Sequence, residues 1–348
     1  MKYYFYLSVL LLTACAPTTH KISINKNEVD AEREIQKQIA LKKQVDYDRR
    51  IQNVAYPILK KSRWACRDKS IRTTGMFFLS LHDFKDQDKD AAQQSFGIGE
   101  YPTITHMIEA GPASRAGLFP GEQILEINGK PIVPGKTATA DTQIWIREAL
   151  EKSKYLRLKV DSFGQQVNYR ILADWVCDYP VISLNNDAVN AYANGEIIAI
   201  TTGMMRFADE DRELASVIAH ELAHNTMKHR DQKEKNSWFG AVFDIAAAAY
   251  GINTGNFFGN LAANTHSKAY EQEADYVGVY YLYGAGYDIE GIANFWREMA
   301  AEYPASQRKS FMSTHPSTSE RFVAMEATVN EIYGKVRRRV SVRPNAKN

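Results

Sequence analysis

Two short strings constrain this chain more than any other feature: His220-Glu221-Leu222-Ala223-His224 and Glu271-Gln272-Glu273-Ala274-Asp275. The first lies in a helix-patterned stretch over residues 209–230, with Asp209, Glu210 and Asp211 favourably placed at its positive end. The second lies in another, over residues 266–283. Positions four apart share a helix face, so His220 and His224 aim both imidazoles at one point, and Glu271 and Asp275 aim together from the second helix. Glu273, about 200° around the helix from Glu271, reads as a solvated acid. Two imidazoles and one carboxylate form a donor set for a single Zn2+ per chain, with one position left open, as in a catalytic rather than a structural site. Glu221, beside the first imidazole, is placed as the general base, and Asp275 is placed to orient a ligand imidazole from behind. A purely structural zinc site fits poorly, because no further cysteine or histidine stands at close spacing.

The N-terminus bears on location. Lys2 precedes an apolar run, residues 3–12, too short to span a bilayer, and the run ends in Leu12-Thr13-Ala14-Cys15. That ending resembles the lipobox of bacterial lipoproteins. The resemblance implies a signal peptide over 1–14, lipidation of Cys15 and a chain tethered to a membrane through acyl chains. Ala16 in place of Asp favours the outer membrane, and the expected location is the periplasm. With Cys15 acylated, Cys66 and Cys177 are an even pair in an oxidising compartment. A disulfide between them is expected; the other reading is two buried thiols.

Residues 28–62 read as helix, with Pro57 a point of interruption and the part before about 46 a stalk. From 75 to 173 the pattern becomes strands and turns. Residues 112–116 form a short helix closed by Gly117, Pro120-Gly121 turns the chain, 124–127 is a strand, and Asn128-Gly129 signals a hairpin. A helix over 141–151 and strands over 155–161 and 165–172 complete the unit. The stretch 111–132 resembles a PDZ domain of the bacterial protease type, which implies an extended peptide ligand added as a strand. Gly75, Met76 and Phe77, in Thr74-Gly75-Met76-Phe77, are the candidate peptide-binding positions, with Phe96-Gly97-Ile98-Gly99 competing. Residues 83–94 read as an exposed loop.

Downstream, 181–184 and 196–201 read as strands, and 238–263 as a buried or membrane-facing helical hairpin. Helices are expected at 266–283, 288–303 and 318–333. His229 falls off the His224 face and reads as a surface histidine. His20, His82, His106 and His266 carry no motif and read as structural or solvated. The basic tail, 336–348, reads as solvated and disordered. A net charge of +2 gives no case for a nucleic-acid partner.

His-Glu-Leu-Ala-His followed by Glu-Gln-Glu-Ala-Asp resembles metallopeptidase family forty-eight. Val189-Asn190-Ala191-Tyr192, Gly195-Glu196-Ile197-Ile198 with Gly203, and Thr314-His315-Pro316-Ser317 with Glu320-Arg321 extend the likeness. The resemblance implies an α+β fold: a mainly helical zincin-type (gluzincin) metallopeptidase domain with a small sheet, plus the inserted β-rich PDZ domain. The expected division is a signal peptide over 1–14, a lipidated tether and stalk over 15–45, the peptidase over 46–74 and 174–335, and the PDZ domain over 75–173. It also implies metal ligands His220, His224 and Glu271, catalytic Glu221, and a substrate strand pairing near Ile197 to Thr201. His315 is a candidate fourth ligand or transition-state contact. The expected function is a tethered periplasmic zinc endopeptidase cutting misfolded or envelope proteins. Its rival is a PDZ scaffold or chaperone-like factor with a gated site.

Overall fold

The computed structural model describes residues 19–20, 22–66, 69–229, 267–303 and 311–346. Cys15 and residues 238–263 lie outside these, so the lipidation and hairpin readings do too.

Helix α1 (Lys26–Lys61) starts where the Asn25 side chain accepts from the Asn27 amide at 2.9 Å. Its C-terminal half is buried through Ile51, Val54, Ala55, Ile58 and Leu59, and Pro57 stands inside a continuous helix. Its first half is largely exposed, with Ile35 and Ile39 open to solvent. One turn, α2 (Arg63–Cys66), leads into β1 (Ser70–Thr73). That strand pairs antiparallel with β8 (Asp174–Cys177), in the register Ser70↔Cys177. The Cys66–Cys177 disulfide closes the base of this ribbon, with Cα atoms 5.6 Å apart.

Between β1 and β8 lies a second unit. Its sheet runs β2 (Met76–Leu79), β3 (Thr103–Met107), β4 (Gln123–Ile127), β6 (Tyr155–Ser162), β7 (Gln165–Leu172), with β5 (Lys130–Pro131) added to β4. Period-two alternation buries Leu156, Leu158 and Val160 of β6 against Ile104, Leu118, Ile124 and Ile171. Helices α4 (Pro112–Arg115) and α5 (Ala138–Lys152) complete it. Asn128 and Gly129 both take positive φ, 51° and 83°, as the hairpin turn between β4 and β5 requires.

Residues 83–94 are not the exposed loop expected from their polarity. They form a short turn over Asp86–Asp88 and a helix, α3 (Lys89–Phe96), whose Ala91 and Ala92 are fully buried. Lys37 donates to the Gln87 carbonyl at 2.6 Å and Gln38 to Gln94 at 2.7 Å, so α1 supplies the surface that orders this segment.

The remaining chain forms a helical layer on a three-stranded sheet, in the order β10 (Ala191–Ala193), β11 (Ile198–Thr201), β9 (Val181–Leu184). The strand β11 is central, antiparallel to β10 and parallel to β9. This corrects the expectation that Ile197 to Thr201 pairs with substrate: both edges of β11 are occupied, and among the described residues β10 pairs only with β11. Helix α6 (Thr202–Phe207) follows directly. A Cβ on Gly203 would lie 2.3 Å from the Asp187 carbonyl oxygen, so only glycine fits that turn.

Helix α7 (Asp211–Thr226) is the core helix, buried continuously from Leu214 to Asn225. Helix α8 (Lys268–Ala285) packs on it closely; a Cβ on Gly278 would sit 3.3 Å from the His220 amide nitrogen. Helices α9 (Ile292–Glu302), α10 (Phe311–Thr314) and α11 (Ser319–Arg337) cover the rest. The tail beyond α11 is not free as expected. Buried Lys335 donates to the Arg343 carbonyl at 2.6 Å and to Asn345 at 2.8 Å, and the Arg343 guanidinium lies 4.3 Å from the Trp64 ring centroid. No helix among the described residues is long and apolar enough to cross a membrane.

Candidate metal centre

Helix periodicity places His220, Glu221 and His224 on α7, and Glu271 with Asp275 on α8, at the crossing of the two helices. His220 Nε2 and His224 Nε2 are 3.1 Å apart. Each lies 3.4 Å from a different oxygen of Glu271. His315, delivered by the turn after α10, brings Nδ1 to 3.1 Å from Glu271 Oε1 and 3.4 Å from His220 Nε2. One donor atom from each of the four residues falls within 4.8 Å of all the others, and all four residues are buried. Imidazole lone pairs and carboxylate oxygens converging on one dry point suit a zinc ion, whose protein ligands are nitrogen and oxygen at short range.

The surroundings hold this cluster rigid. His220 Nδ1 lies 3.0 Å from Asp275 Oδ1. Asp275 is gripped at two points by Arg321, whose Nη1 also reaches Glu271 Oε2 at 3.1 Å and donates to the Pro316 carbonyl at 2.9 Å. Phe311 stacks on His315 at 4.2 Å, and Trp296 donates to Ser216 one turn from His220. Asn225 ties α7 to the turn before β11, accepting from the Gly195 amide at 2.6 Å and donating to the Ile197 carbonyl at 3.2 Å.

Glu221 differs from its neighbours. Its two carboxylate oxygens are buried and make no hydrogen bond among the described residues; Oε1 is 3.5 Å from His315 Nε2. Burial pushes its carboxyl above the ordinary range, against the pull of the His315 and His220 imidazoles. Burial acts the same way on Glu271, but His315 and His220 outweigh it and hold that carboxyl well below its ordinary value. Tyr192, on β10, has its hydroxyl pushed up to about 12 by burial and by the Glu221 carboxylate.

The structure therefore brings His220, Glu221, His224, Glu271, Asp275 and His315 together. It keeps Gly75, Met76 and Phe77 apart from them, at the start of β2, an edge strand paired only with β3 among the described residues. Gly75 takes φ 67°, Met76 is buried, and Phe77 stacks on His106 while packing against the peptidase-side core. The competing Phe96-Gly97 stretch is the end of α3. One reading is corrected here: His229 is fully buried, and Glu273, solvent-exposed as expected, contacts it at 3.0 Å. Sequence reasoning gave no role to Arg321, Asn225 or Tyr192, although Arg321 and Tyr192 stand in strings it singled out.

Residues 176–329 match peptidase family M48, and residues 103–160 match the PDZ domain. The beta-barrel assembly-enhancing protease of Escherichia coli (strain K12) is 28% identical over 165 residues, covering 43% of this chain and 34% of that protein. A putative beta-barrel assembly-enhancing protease of Vibrio cholerae is 27% identical over 219 residues, covering 54% and 44%. The mitochondrial metalloendopeptidase OMA1 of Arabidopsis thaliana is 30% identical over 147 residues, covering 41% and 30%. The chain thus spans about a third of the length of the first curated relatives it matches. Among solved structures, the HtrA3 PDZ domain bound to a phage-derived ligand covers 31% of this chain and 89% of that chain, with 19% identity and a TM-score of 0.24. With its buried His220, His224, Glu271 and His315 able to hold a metal ion, this chain carries a peptidase M48 domain, of a zinc-dependent metallopeptidase family, together with a PDZ domain.

Proposed function

We propose that this chain is a membrane-tethered periplasmic zinc endopeptidase that cuts misfolded or envelope polypeptides, with its PDZ domain recruiting substrate or regulating access. The observation that carries the catalytic part is Glu221, a buried carboxylate without a hydrogen-bond partner among the described residues, beside a four-donor cluster. Leaving a buried acid unsatisfied costs about 1–3 kcal/mol or more, a cost that a working general base justifies. Held by His220, His224 and Glu271, zinc would supply Lewis acidity toward a scissile carbonyl and make a nearby water more acidic. Glu221 would take the proton from the attacking water and return it to the leaving amine. The raised affinity of its carboxyl for a proton suits that exchange.

Substrate would lie extended along the edge of β10, through backbone hydrogen bonds that tolerate many sequences. Tyr192, on this strand, is close enough to Glu221 to feel its charge. The tether rests on the apolar run of residues 3–12 and Leu12-Thr13-Ala14-Cys15. The quality-control role rests on the likeness to the assembly-enhancing proteases.

A gated site is the second reading. His220, Glu221, His224, Glu271 and His315 are each at most 3% exposed, so a polypeptide cannot reach them without movement. The deciding experiment is zinc quantification with a casein-type cleavage assay on the parent and Glu221→Gln. Stoichiometric zinc in both and chelator-sensitive cleavage only in the parent are expected. Full cleavage by Glu221→Gln with zinc bound overturns the mechanism. Zinc without cleavage in either form favours the gated scaffold.

A further inference from the structure

One histidine lies behind the metal cluster without joining it. Helix α7 ends at Thr226, and Lys228 takes the left-handed conformation with φ 57°. The His229 amide then donates back to the His224 carbonyl at 3.1 Å. Such a left-handed helix end reverses the chain. It tucks His229 under His224 instead of carrying it outward on a further helical turn. The His229 ring is 0% exposed and stacks on Tyr270, with centroids 4.7 Å apart and planes 19° from parallel. Its Nδ1 lies 2.9 Å from His224 Nδ1, and its Nε2 lies 3.0 Å from Glu273 Oε2.

These contacts fix where the protons sit. An ionised carboxylate only accepts, so His229 carries its hydrogen on Nε2. A neutral imidazole has one N–H, so Nδ1 of His229 accepts, and the hydrogen between the two rings belongs to His224 Nδ1. That leaves the His224 lone pair on Nε2, the atom that faces His220 at 3.1 Å and Glu271 at 3.4 Å. His220 is oriented by the buried carboxylate of Asp275, whereas His224 is oriented by a neutral imidazole whose own anchor, Glu273, is half exposed.

We propose that His229 is the positioning residue for His224, with Glu273 as its outer anchor: the pair holds His224 with Nε2 turned to the metal. The inference rests on the zinc reading of the cluster. It makes the two imidazole ligands unequal. One is backed by a buried ion pair, the other by a chain of two hydrogen bonds that reaches the surface.

The test is zinc affinity by chelator competition on the full chain, with the visible absorption of the Co2+-substituted protein as a second readout. His229→Phe keeps an aromatic ring against Tyr270 but offers no acceptor to His224. It should loosen zinc by about 10–100-fold, the range found for partners behind metal-ligating histidines, and shift the Co2+ spectrum. His229→Gln, which can accept from His224 and donate to Glu273, should recover most of the loss. Glu273→Ala, altered at the surface, should loosen zinc in the same direction by less. A parent-like affinity and Co2+ spectrum in His229→Phe overturns the proposal. If His229→Phe fails to fold, Glu273→Ala decides, and an unchanged zinc affinity there overturns it. A parent that binds no zinc removes the zinc reading itself. A tight parent with indifferent variants removes only the role of His229.

Discussion

Arg321 and Asp275 meet in a two-point ion pair, Nε to Oδ2 at 2.6 Å and Nη2 to Oδ1 at 2.8 Å, with both side chains buried. Asp275 faces His220, and Arg321 also reaches Glu271 and the carbonyl of Pro316, directly after His315. A single guanidinium therefore braces α8, α11 and the His315 turn around one point.

Removing that guanidinium leaves buried carboxylates uncompensated, a loss of about 3–5 kcal/mol for a broken buried pair. Arg321→Met should lower the unfolding free energy by about that amount and loosen zinc as well. Arg321→Met combined with Asp275→Leu should cost less than the two single changes added together. Denaturant melts with chelator competition measure both effects, and strict additivity would show that the two residues act separately.

The Cys66–Cys177 bond closes a loop across 111 positions of sequence at the foot of the PDZ unit. Cross-linking a loop of that size stabilises chiefly by restricting the unfolded chain, by about 2–5 kcal/mol. The double change to serine should lower the melting midpoint by that equivalent. It should also speed proteolytic cutting near residues 66 and 177. A midpoint unmoved by reductant or by the double change counts against this.

His106 gives a pH signature. It is buried on β3, stacked face to face on Phe77, and burial with the nearby Arg49 charge lowers its pKa from 6.5 to about 4. Between those values the unfolded chain takes up a proton that the folded chain refuses. The stability tied to neutral His106 is therefore complete above pH 6.5 and drains away as pH falls toward 4. The loss approaches about 3 kcal/mol by linkage. His106→Phe should be less sensitive to acid, so its denaturation midpoint gains on the parent's as pH drops from 7 to 4. Parallel curves would show that His106 does not carry the effect.

His315 is the fourth donor, and its Nδ1 lies nearer Glu271 than His220. If it caps the cluster, His315→Ala should loosen zinc several-fold and raise cleavage, because it opens the position a substrate carbonyl needs. Cleavage that falls while zinc stays bound would assign His315 to the substrate instead. Paired zinc and peptidase assays separate the two.

The sequence determined the donor set. Helical periodicity alone put His220 with His224, put Glu271 with Asp275, and turned Glu273 away, because contacts four residues apart follow from local geometry. Turn chemistry made Asn128-Gly129 a hairpin, and the even pair Cys66 and Cys177 in an exported chain suggested a disulfide.

Contacts distant in sequence decided the rest. α3 forms over a polar stretch because α1 packs beside it, with Lys37 and Gln38 bonded to Gln87 and Gln94. β11 is covered on both sides because β10 pairs with one edge and β9 returns parallel along the other. His229 reaches His224 because Lys228 adopts a left-handed turn that no periodicity announces, and its ring is completed by Tyr270 and Glu273 from another helix. Arg321 braces the site across 46 residues of sequence. Periodicity reads one element at a time, whereas burial and charge pairing exist only once the elements have packed together.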